Sequence, residues 1–274
     1  MSIIQTADPL LKISDLRKIF PDGTIALDGV SFNVSHGEFV MILGPSGSGK
    51  TSLLRCINGL VESTSGDIVL DDVPVTKKNL RIVRKKVGLI FQHFNLVGNL
   101  SSLNNVLTGL LDYNNTVASL FLIFKKKLKL RALECLDMVG VVEKAQVRAD
   151  QLSGGQQQRV GIARAIARNP ILILADEPVA SLDPMIAYNV LSLLKRICKS
   201  KNITVICNIH QVDLALKFAD RIIGLSSGVI VMDELIENVT EQLIETVYKG
   251  HDQGMFFGPA EAKPPSDDSM RMAV

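Results

Sequence analysis

The chain has 274 residues, of which 47% are hydrophobic and 21% charged, with a formal net charge of +2. This composition excludes a mainly disordered chain, and the length allows one large domain or two small ones. A near-zero net charge gives no field that would make nucleic acid the expected partner, and a mean hydropathy of +0.25 favours a chain that buries surface against another protein.

The N-terminal run MSIIQTADPLLKISDL lacks a basic stretch followed by an apolar one, so a signal peptide is not expected. Next, LLKISDLRKIF and VSFNVSHGEFVMILG alternate apolar and polar residues around PDG and HGE turns. They read as antiparallel strands leading into one buried strand, FVMIL. A glycine-rich loop follows, then a helix from about Lys50, then a GDIVLDDVPV hairpin. From about 92 to 150 the spacing is helical. QQQRVGIARAIAR predicts a helix closed by Asn169-Pro170, ILILAD a buried strand, IAYNVLSLLKRICKS a helix and ITVICNI another buried strand. Strands apolar on both faces and alternating with helices imply a parallel sheet covered on both sides. The final stretch, 251–274, is rich in Pro, Ser, Ala and Asp and is expected to be a disordered tail.

Cys56, Cys135, Cys198 and Cys207 form no C-x-x-C pair. They read as small core residues in a reducing compartment rather than as a zinc or disulfide framework. No segment reaches the roughly 20 apolar residues that a spanning helix needs. The most apolar run, VASLFLIF at 117–124, is followed by KKKLK. It reads as a helix with its apolar side packed inward and its lysines solvated.

Two motifs carry chemistry. GPSGSGKT at 44–51 fits G-x-x-x-x-G-K-S/T between a buried strand and a helix, the context a phosphate-binding loop requires. Backbone N–H groups of Gly44, Pro45 to Ser48, and Gly49, with the helix start through Ser52, would surround the phosphates, proline lending only its turn. Lys50 would reach the β and γ phosphates of ATP, and the Thr51 hydroxyl would bind Mg²⁺. ILILADEP places Asp176 at the end of a buried strand, where it can hold Mg²⁺. Glu177 follows as the expected general base for an attacking water, which favours ATP hydrolysis over transfer.

LSGGQQQRVGIARAIARNP at 152–170 opens a second helix with Ser153 as N-cap ahead of Gly154 and Gly155. Its exposed start is a second anion site. One nucleotide cannot reach two such sites on different surfaces of one chain, so Ser153 to Gln156 are expected to meet the γ-phosphate bound by another subunit.

This segment resembles the signature of ATP-binding cassette ATPases, and the resemblance covers about residues 10–250. It implies an α/β fold: a P-loop NTPase (RecA-like) core with an antiparallel β subdomain, at 10–91 and 151–250, and an inserted α-helical subdomain at 92–150. It also implies a head-to-tail homodimer sandwiching two ATP molecules. On the same footing Phe20 stacks on adenine, and Gln92 contacts magnesium and senses the γ-phosphate. Asp183 communicates across the dimer, and His210 orients the γ-phosphate and Glu177. One cassette without a membrane span resembles the ATP-binding subunit of an importer, peripheral on the cytoplasmic face of the inner membrane. There it would sit under permease subunits served by an extracytoplasmic binding protein. The helical subdomain, including 117–129, would then lie where the permease docks.

FQHFNLVGNLSSLNNVLTGLL, DEPVASLDP and NIHQVDLALKFADRIIGL together resemble the phosphonate-import branch, whose relatives carry phosphite or other reduced phosphorus anions. A lipoprotein-release or efflux cassette and a soluble non-transport cassette are the alternatives.

Overall fold

The computed structural model describes residues 8–115, 118 and 121–249. Two sheets organise them. The first is antiparallel and has four strands in the order β2 (Ile25–Val34), β1 (Leu11–Ile19), β4 (Ser65–Leu70) and β5 (Val73–Pro74). The alternation in β1 puts Leu11, Ile13 and Leu16 inward. The PDG turn is closed by Phe20 N–H on the Thr24 carbonyl at 2.9 Å and by Thr24 N–H on Asp22 Oδ1 at 3.0 Å.

The second sheet has six strands: β10 (Val229–Leu235), β9 (Arg221–Ser226), β3 (Phe39–Leu43), β8 (Thr204–Asn208), β7 (Leu172–Asp176) and β6 (Val87–Ile90). Five run parallel, as expected, and β10 adds an antiparallel edge through its hairpin with β9. The period-2 pattern divides its side chains between two cores. Phe39, Met41, Ile173, Ala175, Val205 and Cys207 face one, and Val40, Ile42, Leu172, Leu174 and Ile206 face the other. This sharing explains why these strands read as unbroken apolar runs.

The described residues also form helices α1 (Lys50–Ile57), α2 (Leu80–Lys86), α3 (Ser102–Thr108), α4 (Lys126–Met138), α5 (Gly154–Ile166), α6 (Pro184–Lys201), α7 (Val212–Phe218) and α8 (Glu241–Tyr248). Between β6 and β7, α3 and α4 pack against each other and against α5. Among the described residues no helix is long and apolar enough to cross a membrane. All four cysteines are free and buried. The expected tail, 251–274, lies outside the described residues.

The apolar-basic segment departs from its expected packing. Residues 121–125 are not helical, and α4 begins only at Lys126, without a side-chain cap. Phe124 is 5% exposed, whereas Phe121 is 68% and Ile123 63% exposed. Val117, Ser119 and Leu120 fall outside the described residues. A run without polar punctuation carries no period, so the sequence could not assign its faces. Phe124→Ser should therefore cost about 3–5 kcal/mol of stability by leaving a hole in the core. Phe121→Ser should change it by no more than about 0.5 kcal/mol. Urea unfolding of the two variants checks this.

Candidate active site

The phosphate loop leaves β3, a strand whose five residues are all buried and which is paired on both sides. Two glycines are obligatory on steric grounds. A Cβ on Gly44 would lie 2.1 Å from the Leu225 carbonyl oxygen, and one on Gly49, at φ +105°, would lie 2.2 Å from that of Ala26. Lys50, 5% exposed, turns back and donates from Nζ to the carbonyls of Gly44 at 2.7 Å and Pro45 at 2.9 Å. Burial lowers its pKa, and the carboxylates of Glu177 and Asp176 oppose that shift.

The strand order brings the remaining groups to the same edge. β7 and β8 pair Asp176 with Asn208, and β6 and β7 pair Ile90 with Ala175. The carboxyl ends of β3, β6, β7 and β8 thus converge, as open parallel sheets require of a ligand site. There Thr51 Oγ1 donates to Asp176 Oδ1 at 3.0 Å. Glu177 occupies a left-handed backbone, φ +48°, at a cost of about 1–3 kcal/mol for a non-glycine residue. Its Oε1 lies 2.6 Å from His210 Nε2, within hydrogen-bond distance. Gln92 follows β6 by two residues, half-buried at the same sheet edge.

Phe20, Thr24, Ile25 and Ala26 form one wall of a cleft of about 400 Å³. Ser46 to Ser52, Glu177 and His210 form the other. Phe20 directly follows β1, and Ile25 and Ala26 belong to β2, so the cleft lies between the two sheets' contributions. The hydroxyl of Thr51 and carboxylate of Asp176 are hard oxygen donors of the kind Mg²⁺ takes, one or two carboxylates being enough when phosphates complete the shell. The residues fit that ion.

Ser153, Gly154, Gly155, Gln156 and Asp183 are elsewhere. Ser153 caps α5 through a capping box. Its Oγ accepts from Gln156 N–H at 3.4 Å, and its own N–H donates to Gln156 Oε1 at 3.1 Å. A Cβ on Gly155 would meet Ile186 Cγ2 at 2.7 Å, so the start of α5 abuts the start of α6, where Asp183 is the exposed N-cap. None of these five residues lines the cleft.

The sequence pattern of the ABC transporter family matches residues 27–180. The chain belongs to the ABC transporter family. Two relatives are phosphonates import ATP-binding proteins. That of Halalkalibacterium halodurans is 47% identical over 243 residues, spanning 88% of this chain and 100% of the relative. That of Thiobacillus denitrificans is 48% identical over 239 residues, 87% and 92% of the two chains. Among solved structures, a dimeric ATP-binding cassette in a post-hydrolysis state, bound to ADP and Pi, matches with a TM-score of 0.73. It is 36% identical, over 84% of this chain and 100% of its own. A cassette of Clostridium perfringens that is part of an ABC transporter complex matches with a TM-score of 0.76 at 27% identity, over 88% and 95%.

Within this ABC ATPase fold, some site residues had no sequence signal. Thr24, Ile25 and Ala26 look like ordinary strand residues and enter the cleft only through sheet placement. Asn208, at the end of β8, could have been found from one anomaly, an amide in the otherwise apolar run ITVICNI.

Proposed function

We propose that this chain is the ATP-hydrolysing subunit of an importer of phosphonate or of a phosphite-type reduced phosphorus anion. The observation carrying the reading is near-full-length likeness, at 47–48% identity, to phosphonates import ATP-binding proteins. The chain would work as a head-to-tail homodimer beneath transmembrane permease subunits, on the cytoplasmic face of the inner membrane. A binding protein outside would deliver the solute. A nucleotide-binding core (10–91 and 151–250) and a helical insert (92–150) are the proposed working parts.

ATP fits the cleft with adenine against Phe20, its ring half-exposed beside Lys18 Nζ at 5.1 Å. The loop amides of Gly47, Ser48 and Gly49 and the start of α1 face its phosphates. Lys50 exchanges its carbonyl partners for phosphate oxygens. Thr51, Gln92 and Asp176 would hold Mg²⁺, which when bound neutralises charge on the β and γ phosphates. Glu177 takes the proton of the attacking water as its oxygen bonds to the γ-phosphorus, and the bond to the ADP oxygen breaks. His210 holds the Glu177 carboxylate in place through the 2.6 Å contact. Ser153, Gly154, Gly155, Gln156 and Asp183 of a second copy close the γ-phosphate from the other side.

Phe20→Ala removes the stacking face, worth about 1–3 kcal/mol, and should raise KM for ATP roughly 5- to 150-fold. Phe20→Tyr should leave KM near the starting value. The exposed Phe121, Ile123 and the lysines beside them are proposed to contact the permease.

Reconstitution tests the reading. The chain, the permease and binding protein encoded beside it, and ATP are placed in vesicles, with uptake of a labelled phosphonate as readout. ATP-dependent uptake supports the proposal. A binding protein that takes only an amino acid, or outward movement of substrate, sinks it.

A further inference from the structure

β8 ends at Asn208, which is fully buried and stands two residues before His210. Its side-chain Nδ2 donates to Asp176 Oδ1 at 2.9 Å, the same oxygen that accepts from Thr51 Oγ1 at 3.0 Å. Among the described residues both side-chain donors to Asp176 fall on Oδ1, so Oδ2 is left for a ligand. The main-chain carbonyl of Asn208 accepts from the Glu177 N–H at 3.2 Å. That bond sits on the residue with the left-handed backbone, φ +48°, where the direction of the side chain depends on how the main chain is held. The amide can face only one way, because turning it over would set its oxygen against the Asp176 carboxylate.

We infer that Asn208 is a positioning residue that sets both acidic groups together, its amide aiming Asp176 and its carbonyl holding Glu177. The inference rests on the roles proposed above for those two carboxylates. The side-chain chemistry fits this duty. A lysine or arginine would neutralise the Asp176 carboxylate, and an aspartate would repel it. A serine from this position would fall short of it. An uncharged amide orients the carboxylate while leaving its full charge for a cation. Among the described residues, the buried Oδ1 of Asn208 has no hydrogen-bond partner.

The test uses the purified chain with Asn208→Leu, which has the same number of side-chain heavy atoms but no donor, and Asn208→Ser, which adds no apolar bulk. Binding of a fluorescent ATP analogue is measured in EDTA and across a Mg²⁺ titration, beside steady-state ATP hydrolysis and thermal unfolding. For both variants the Mg²⁺ midpoint should rise about 10- to 100-fold and kcat fall by a similar factor, as for the loss of a partner that orients a metal ligand. Analogue binding in EDTA and KM for ATP should stay within about threefold. A wild-type Mg²⁺ midpoint in either folded variant, or equal losses with and without Mg²⁺, overturns the inference. Absence of Mg²⁺-dependent hydrolysis in the unmutated chain would instead overturn the functional reading on which it depends.

Discussion

Glu177→Gln is expected to cut ATP turnover by about 10²–10⁴-fold, the usual contribution of a general base, while ATP stays bound. The glutamine keeps the shape and can still meet His210, but it cannot take the proton of the attacking water. Its backbone position is unchanged, so the left-handed φ of +48° is retained and little stability is lost. A cassette that binds ATP without hydrolysing it should accumulate as a two-copy complex at saturating nucleotide. Size-exclusion chromatography with light scattering checks this, and a variant that remains a single copy would refute the sandwich. A fall in turnover below about tenfold would remove Glu177 from the base role.

Gly154→Asp should be almost as damaging by a different route. The new Cβ would meet only Leu182 Cδ2 at 3.3 Å and Phe94 Cζ at 3.7 Å, both ends of movable side chains. An acidic residue in the first turn of α5 also favours the helix, so folding should hold. The surface proposed to meet the partner's triphosphate, however, gains a negative charge. Like-charge juxtaposition costs several kcal/mol, and hydrolysis should fall at least about 100-fold. Binding of ATP to the isolated chain should not change, since none of the cleft-lining groups is touched. Mixing this variant with Lys50→Met gives a sharper readout. Each is inactive alone, but a mixed pair has one site whose cleft comes from the first chain and whose α5 start comes from the second. Partial recovery of turnover on mixing is expected only if each site draws on two chains.

Local chemistry was legible wherever it is written in consecutive residues. The turn GPSGSGKT, the strand-end pair Asp176-Glu177 and the N-cap at Ser153 depend on neighbours in sequence, and each was read from it. Strand β6, with the residues VGLI, is too short to display a period, and it follows a charged stretch, LRIVRKK, that drew no reading. The β9–β10 hairpin and α8 come after the last chemical motif and have no turn dipeptide as strong as Asn-Gly to mark them. That Phe20 and Ala26 share a cleft with His210 follows from how two sheets are placed, a relation carried by the core and not by any segment. In the stretch VASLFLIFKKKLK the hydrophobicity was visible, but its direction was not. Among the described residues of the stretch, Phe124 is buried in the core and Leu128 packs partly against it.

The burial of the cysteines makes the protein convenient to instrument. Burial pushes the Cys56 thiol up to about 11 and the Cys198 thiol up to about 12, and it raises Cys135 and Cys207 as well. With a pKa near 11, only about one thiol in ten thousand is ionised at neutral pH, and the thiolate is the species that attacks maleimides. The native chain is therefore a quiet background for labelling. A single cysteine placed at exposed Phe121 or Ile123 should carry a spin label or fluorophore alone, so that its approach to a permease can be followed without removing any native thiol.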